Sequence, residues 1–167
     1  DFMIILVRAD DRLIHGIVAV SWTSAIKPET ILVANDEAAG DSFKAATMKL
    51  AKPAGVKLII KTIADSIKAL NNPINDRKKI FLVTETVEDA CTIWESVKGI
   101  AKLNIGTAGV NKKPGEDYIP TLPQVFMTRK EFECAKKMAD AGVEVFAQIT
   151  PSLDRMNFKD IEKIFAK

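Results

Sequence analysis

The segment MIILVRADDRLIHG, residues 3–16, joins a run of aliphatic residues to a polar loop. Residues 3–8 are nearly continuous in Ile, Leu and Val, which is typical of a strand buried on both faces of a parallel sheet. A helical pattern follows at residues 17–26. A strand, a short loop and a helix in succession make up the first half of a β-α-β unit. This segment therefore predicts an α/β fold built on parallel strands.

The same alternation continues along the rest of the chain. Later strands are predicted at residues 30–35, 56–61, 79–84, 102–106, 124–128 and 143–149, and a last helix at residues 158–166. The early runs among them are nearly continuous in Ile, Leu and Val like the first, so burial on both faces is expected for these strands as well. Three of the intervening helices begin with a threonine three residues before an acid, an N-cap arrangement, at Thr62, Thr86 and Thr128. Right-handed crossovers between parallel strands place helices on both faces. We expect a single domain over residues 1–167, an open sheet of about seven strands with helices on both faces.

Other side chains are predicted to be packing residues. Phe43, Ala46 and Leu50 recur at helical spacing and are expected in the core. Trp22 and Trp94 are interpreted in the same way. The two cysteines are distant in sequence and form no C-x-x-C pair, so we expect free, reduced thiols.

Composition excludes several classes of protein. The 167 residues are 47% hydrophobic and 28% charged, which argues against a disordered chain, and the formal charge of +2 is too small to favour nucleic-acid binding. No apolar run approaches the ~20 residues of a spanning helix, and no secretory leader is evident, so a cytoplasmic protein is expected. One histidine and no thiolate cluster predict no metal site. No dinucleotide or P-loop motif occurs, and we expect no cofactor.

Ligands of parallel sheets bind beyond the carboxyl ends of the strands. The loop at residues 10–16 holds this position after the first strand, and the pair at residues 36–37 holds it after the second. After the fifth strand, residues 106–109 could cradle an anion through backbone N–H groups, although a short glycine pair is a weak signal. The long loop at residues 107–123 contains two glycines and three prolines, and loops of this length are often functional.

The first of these loops contains the only histidine, His15. Near pH 7 a neutral imidazole can attack a phosphoryl group in line. Arg12 can offer two N–H groups to phosphoryl oxygens, and the start of the following helix adds further donors. Asp10 or Asp11 could orient the imidazole, hold Arg12 or cap the helix. A lone histidine is nevertheless often structural, and Asp-Asp-Arg is often a solvated loop, so the residues alone leave both interpretations open.

The stretch LVRADDRLIHG at residues 6–16 resembles the signature of the IIB component of the mannose/fructose/sorbose class of the bacterial phosphoenolpyruvate:sugar phosphotransferase system. Residues 33–37 (VANDE), residues 103–106 (LNIG) and residues 141–145 (AGVEV) with Pro151 resemble later parts of the same family. The resemblance covers the chain from Met3 onward. It implies a mostly parallel sheet with one antiparallel strand near an edge.

The resemblance also implies a function, that of a protein-N(π)-phosphohistidine–sugar phosphotransferase. His15 would accept a phosphoryl group from a separate IIA component and pass it to a sugar presented by the membrane components IIC and IID. This chain itself would not span the membrane. His15, Arg12 and Asp10 are assigned to catalysis by the match. Asp11, Gly16, Asp36 and Gly106 are assigned to substrate binding.

Some residues depart from the family pattern. Ile17 stands where glutamine is usual, Asn35 where aspartate is common, and Thr107 follows Gly106 where a second glycine is expected. The chief alternative is a non-catalytic regulatory or anion-binding domain of the same fold. A nucleotide-binding α/β domain is a weaker alternative, because the phosphate-loop motifs are missing.

Overall fold

The structure is a computed structural model that describes residues 3–110 and 112–167. Strands and helices alternate as the pattern predicts. The strands are β1 Met3–Ala9, β2 Thr30–Ala34, β3 Lys57–Lys61, β4 Lys79–Thr84, β5 Lys102–Ile105, β6 Ile119–Pro120, β7 Phe126–Met127, β8 Glu144–Ala147 and β9 Met156–Asn157. The helices are α1 Gly16–Ile26, α2 Asp36–Gly40, α3 Ser42–Leu50, α4 Ile63–Asn71, α5 Val87–Ser96, α6 Arg129–Asp140 and α7 Phe158–Phe165, with a 3-10 turn at Pro73–Asn75.

Seven strands form one open sheet in the order β3-β2-β4-β1-β5-β8-β9. All neighbouring pairs are parallel except β8 and β9, which are antiparallel at one edge. The predicted sheet is therefore confirmed. Strand β1 lies between β4 and β5, so the chain winds outward from it in both directions. A crevice opens at the carboxyl end of a strand in this position.

The predicted strand at residues 124–128 is wrong in extent and place. Only Phe126–Met127 is a strand, and it pairs with β6 in a separate two-stranded antiparallel sheet. Gln124 has a left-handed φ of 65°, which interrupts the extended backbone. The seventh strand of the main sheet is β9, whose two residues are too short to give an alternating pattern.

Apolar layers cover both faces of the sheet. One layer packs α4, α5, α6 and α7 against the strands, and the other packs α1, α2 and α3. The interior strand β2 is buried throughout, as predicted. The expectation of burial on both faces is wrong for β3, whose Lys57 and Ile59 are exposed because this strand lies at the edge of the sheet.

The predicted burial of α3 is also wrong. Phe43 is 80% exposed, Leu50 is 90% exposed, and Ala46 is exposed with them. The helix packs instead through the buried Met48, with the partly buried Ala51 beside it. Two apolar stripes run along this helix, and spacing alone does not say which of them faces the sheet.

The predicted helix starts are confirmed. The hydroxyl oxygens of Thr62 and Thr86 each accept a hydrogen bond from the backbone N–H three residues later, and Thr128 forms a reciprocal capping box with Glu131. Trp22 is a buried packing residue whose indole N–H donates to the Ile149 carbonyl at 2.8 Å. Both cysteines are free, and burial raises the pKa of the Cys91 thiol to about 12.

Candidate functional site

Backbone hydrogen bonds fix the loop that follows β1. The Asp10 N–H donates to the Thr84 carbonyl at the end of β4 at 2.9 Å. The Asp11 N–H donates to the Thr107 carbonyl beyond β5 at 2.8 Å. The loop therefore bridges both neighbours of β1 at the point where the strand order reverses, which is where such sheets bind ligands.

A tight turn within this loop leads to His15. The Leu13 N–H donates to the Asp10 carbonyl at 2.9 Å, and the Arg12 N–H donates to the Asp10 Oδ1 at 2.9 Å. Leu13 has a left-handed φ of 58°, an unfavourable conformation for a branched side chain. Leu13 and Ile14 are both buried in the apolar layer beneath, and this burial offsets the strain.

His15 is the residue immediately before α1. Its side chain makes no capping hydrogen bond, and the first turn of the helix contains no acidic residue. The first N–H groups of a helix have no partner within the helix, and its dipole favours an anion there. Gly16 begins the helix with a positive φ of 40°, which glycine tolerates best. The 11-residue helix therefore directs its positive end toward the loop that holds the histidine.

The imidazole of His15 faces Asp10 through one nitrogen. Nε2 lies 3.4 Å from the Asp10 Oδ2. This nitrogen is buried and has no hydrogen bond of good geometry to any described residue. The side chain as a whole is 24% exposed, so the accessible surface of the ring belongs to its other atoms. Asp10 therefore lies beneath the ring and solvent lies on its outer side.

A buried arginine holds Asp10 in place. The Arg8 Nη2 lies 2.8 Å from the Asp10 Oδ2, and its Nε donates to the same oxygen at 3.2 Å. Nη1 donates to the Asn104 side chain and, at 3.1 Å, to the Gln148 carbonyl. Both members of the ion pair are almost fully buried, at 2% and 0% exposure. Such a pair is maintained only when further hydrogen bonds satisfy it, as they do here.

This network keeps Asp10 ionised. Burial alone would raise the pKa of the Asp10 carboxyl, but the His15 contact and the Arg8 charge together hold it below its usual value. Burial lowers the pKa of Arg8, although an arginine remains charged near pH 7. A fixed negative charge therefore lies beneath the histidine.

Gly106 makes room for the Arg8 guanidinium. Any side chain at this position would place its Cβ within the guanidinium group of Arg8. The Gly106 N–H already donates to the Ala9 carbonyl at 2.8 Å. The Ala108 N–H is also occupied, because it donates to the Gln124 carbonyl. The predicted anion cradle at residues 106–109 therefore lacks two of its backbone N–H donors. The geometry gives Gly106 a packing function.

Gly106→Ala is expected to destabilise the protein by about 1–3 kcal/mol, the range typical of overpacking. Arg8 cannot move aside because its hydrogen bonds hold it on three sides. Chemical denaturation measures the change. Gly40→Ala is the matched control, because a Cβ there meets no atom within 4 Å and its φ is not positive. Equal effects of the two substitutions would contradict the packing function.

The structure brings some of the predicted site residues together. Asp10, Arg12 and His15 share one loop, and the Arg12 side chain is exposed with no ion pair to a described residue. Asp11 accepts a hydrogen bond from the Val110 N–H at 2.9 Å. Asp36 is the first residue of α2, and its carboxylate accepts from the Ile63 N–H at the start of α4 at 2.8 Å. Asp36 therefore joins two helices.

Sequence reasoning missed the supporting network of Arg8, Asn104 and Gln148. Asn104 lies in β5 and donates to the Gln148 carbonyl at 3.1 Å, while the Gln148 amide donates to the Leu153 carbonyl at 2.9 Å. One signal was available. Arg8 is a charge at the end of an otherwise aliphatic strand, and a charge in a buried strand requires a partner.

The long loop at residues 107–123 borders the site. It contains β6, and Val110 provides the contact to Asp11. Asn111 of this loop lies outside the described residues.

Within residues 3–110 and 112–167, no group of three or more His, Cys, Asp or Glu side chains is arranged to hold a metal ion. No helix in the described part of the chain is long and apolar enough to cross a bilayer.

Comparison with solved structures identifies the class of protein. The chain superimposes on the IIB domain of the sorbose permease of Klebsiella pneumoniae with a TM-score of 0.86, at 25% identity over 96% of this chain and 97% of that one. The open α/β sheet of this chain is therefore the architecture of a IIB domain.

Family comparison agrees over nearly the whole chain. The model of the "PTS system sorbose subfamily IIB component" matches residues 4–167, and the chain belongs to this family of phosphotransferase enzyme components. A probable phosphotransferase enzyme IIB component of Streptococcus pyogenes is 35% identical over 95% of this chain and 99% of its own length. The mannose-specific EIIAB component of Escherichia coli is 28% identical over 96% of this chain, which spans about half of that longer protein, 49%. None of these relatives supports the alternative of a non-catalytic domain.

Proposed function

We propose that His15 is the residue that carries the phosphoryl group in this IIB component. One observation carries the proposal: the only histidine stands at the uncapped N-terminus of α1, with one nitrogen against the Asp10 carboxylate. The helix N-terminus favours the phosphoryl anion, and the buried carboxylate favours a proton on Nε2. The lone pair of Nδ1 is then the nucleophile.

The transfer proceeds in two steps. The P–N bond of a phosphohistidine on a IIA component breaks as a P–N bond to His15 Nδ1 forms. That bond then breaks as a sugar hydroxyl attacks, which gives a sugar phosphate, a released proton and free His15. Positioning and charge stabilisation account for most of the catalysis of such transfers. Asp10 stabilises the proton on Nε2 throughout and is a positioning residue.

The donor and acceptor must both reach the same exposed nitrogen. Ile17 is 81% exposed one residue beyond Gly16, and Val20 is exposed one turn later on α1. This apolar strip beside His15 supplies a surface on which a IIA component would dock. The membrane components IIC and IID would approach the same face with the bound sugar. We assign the protein to the cytoplasmic side of the membrane on this basis.

The direct test is an intact-mass measurement after incubation with a phosphorylated IIA component of the mannose/sorbose class. We expect one acid-labile phosphoryl group, located on His15 by peptide mapping. NMR of the phosphorylated protein would assign it to Nδ1. If a panel of demonstrably phosphorylated IIA components of this class left the protein unlabelled, the proposal would be wrong.

Arg12→Ala is expected to slow phosphoryl transfer by about 10²–10³-fold, the cost of removing one preorganised charge donor. The exposed guanidinium has no ion-pair partner among the described residues and can turn toward a phosphoryl group above His15. Quench-flow kinetics with phosphorylated IIA measures the rate. Arg12→Lys retains the positive charge but loses the pair of N–H donors that a guanidinium offers to two phosphoryl oxygens, so an intermediate rate is expected. Wild-type kinetics in Arg12→Ala would exclude this role.

A further inference from the structure

A groove of about 600 Å³ follows one face of the edge strand β3. Lys57, Ile59 and Lys61 line it from the strand, while Lys68 lines it from α4. Its floor is apolar and includes Leu32, Leu70 and Ile80. None of the residues of the His15 loop contributes to it. The groove is therefore a separate surface from the phosphoryl site.

The outer edge of β3 is open. Within the described residues β3 pairs only with β2, and no other strand lies on its far side. Ile59, at the centre of the strand, is 39% exposed. Edge strands carry unpaired N–H and C=O groups that can template a further strand.

A second groove lies on the opposite face of the same strand. It has a volume of about 360 Å³ and is lined by Leu58, Ile59 and Ile60 together with alanines of α2 and α3. Successive side chains of a strand point to opposite faces. A chain added beside β3 would therefore find space for its side chains on both sides of the sheet.

The groove beside α4 has an excess of positive charge. Four lysines line it, Lys57, Lys61, Lys68 and Lys78, against two acids, Glu29 and Asp65. None of these lysines forms an ion pair with a described residue. Lysines on an edge strand also discourage aggregation, which would explain Lys57 and Lys61. That explanation does not extend to Lys68 and Lys78, which lie outside the strand and line the same groove.

We propose that the β3 edge binds an extended acidic segment of a partner protein as an added strand. The partner segment would present acids at positions i and i+4, opposite Lys57 and Lys61, and an apolar residue at i+2, against Ile59. Backbone hydrogen bonds supply affinity in such strand addition, and the side-chain pairs supply selectivity. A second copy of this chain fits less well, because antiparallel pairing centred on Ile59 would place Lys57 opposite the Lys61 of the other copy.

NMR titration of the full chain with a blocked peptide tests the proposal. The probe contains Asp-Thr-Val-Thr-Glu, whose pattern suits either strand direction. We expect amide shifts at Leu58, Ile60 and the residues of both grooves. The charge-reversed peptide Lys-Thr-Val-Thr-Lys should bind at least about tenfold more weakly, given two attractive pairs turned into repulsive ones.

Charge reversal in the protein should reverse this preference. Lys57→Glu/Lys61→Glu is expected to weaken binding of the acidic peptide about tenfold and to favour the basic one. Lys68→Glu, on α4, makes the same test without altering the strand. Lys159→Glu, an exposed lysine of α7, is the matched control and should bind like wild type. His15→Ala should also bind like wild type, because the groove does not include the loop.

Two results would overturn the proposal. Equal binding of both peptides, or amide shifts confined to residues outside β3, would contradict strand addition. The lysines would then serve only to protect an unpaired edge strand from aggregation. A wild-type dimer in sedimentation analysis, with β3 amides protected from hydrogen exchange, would assign the edge to a second copy.

Discussion

His15→Ala is expected to abolish phosphoryl acceptance while the protein remains folded. The chain contains no other histidine, so no second imidazole can substitute. Asp10 cannot act as a direct acceptor, because it is fully buried and paired with Arg8. Intact-mass analysis after incubation with phosphorylated IIA should find no acid-labile phosphoryl group.

The fold should tolerate this change. His15 is partly exposed and makes no capping hydrogen bond, so the free energy of unfolding should fall by no more than about 1 kcal/mol. Arg12→Ala is the functional control, since it should slow transfer yet retain the acceptor. A folded His15→Ala variant that still gained an acid-labile phosphoryl group would show that the acceptor lies elsewhere.

Arg8→Met is expected to lower the free energy of unfolding by about 3–5 kcal/mol at pH 7, the cost of leaving one member of a buried pair without its partner. Domains are commonly stable by only ~5–15 kcal/mol, so this loss is large. Urea denaturation followed by circular dichroism measures it. Arg77→Met, an exposed arginine without an ion pair to any described residue, should change stability by less than about 0.5 kcal/mol.

The loss in the free energy of unfolding caused by Arg8→Met should depend on pH. In the wild type the folded pKa of Asp10 lies below its unfolded value of ~3.9, so the stabilisation is present above that pH and is lost as the pH falls through the folded pKa. In the variant the attraction of Arg8 is gone and burial pushes the pKa of Asp10 upward. Protonation then relieves the buried charge. The difference in the free energy of unfolding between the wild type and Arg8→Met should therefore decrease from pH 7 toward pH 4.

A double variant separates the charge effect from lost packing. Arg8→Met/Asp10→Asn contains no unpaired buried charge and should recover part of the stability lost in Arg8→Met. If the loss in the free energy of unfolding of the double variant equalled the sum of the losses of the two single variants, the two side chains would not be coupled. A loss in Arg8→Met that stayed constant with pH would also contradict the coupling.

The grouping of the candidate site residues in one loop was predictable, because these residues are local in sequence. His15, Arg12 and Asp10 occur within six residues, directly after an aliphatic strand. The carboxyl end of that strand is where a parallel sheet binds ligands. The function of Gly106 was not predictable in this way, because it depends on Arg8, a residue of another strand.

Two of the errors in the fold, at α3 and at β3, have a common cause. The apolar stripe of Phe43 and Leu50 satisfies helical spacing but faces solvent. The run at residues 56–61 has the composition of an interior strand but forms the sheet edge. Local patterns report which residues can be buried, whereas the packing of distant elements decides which of them are.

The sequence by itself determined the alternation of strands and helices, the starts of three helices and the position of the histidine loop, since periodicity and capping act over a few residues. Only the tertiary structure decided that β9 closes one edge of the sheet and β3 leaves the other open. It also brought Arg8, Asn104 and the Gln148 carbonyl from three strand regions to one buried point. A buried charge must find its hydrogen bonds wherever the folded chain supplies them, and no local pattern records those partners.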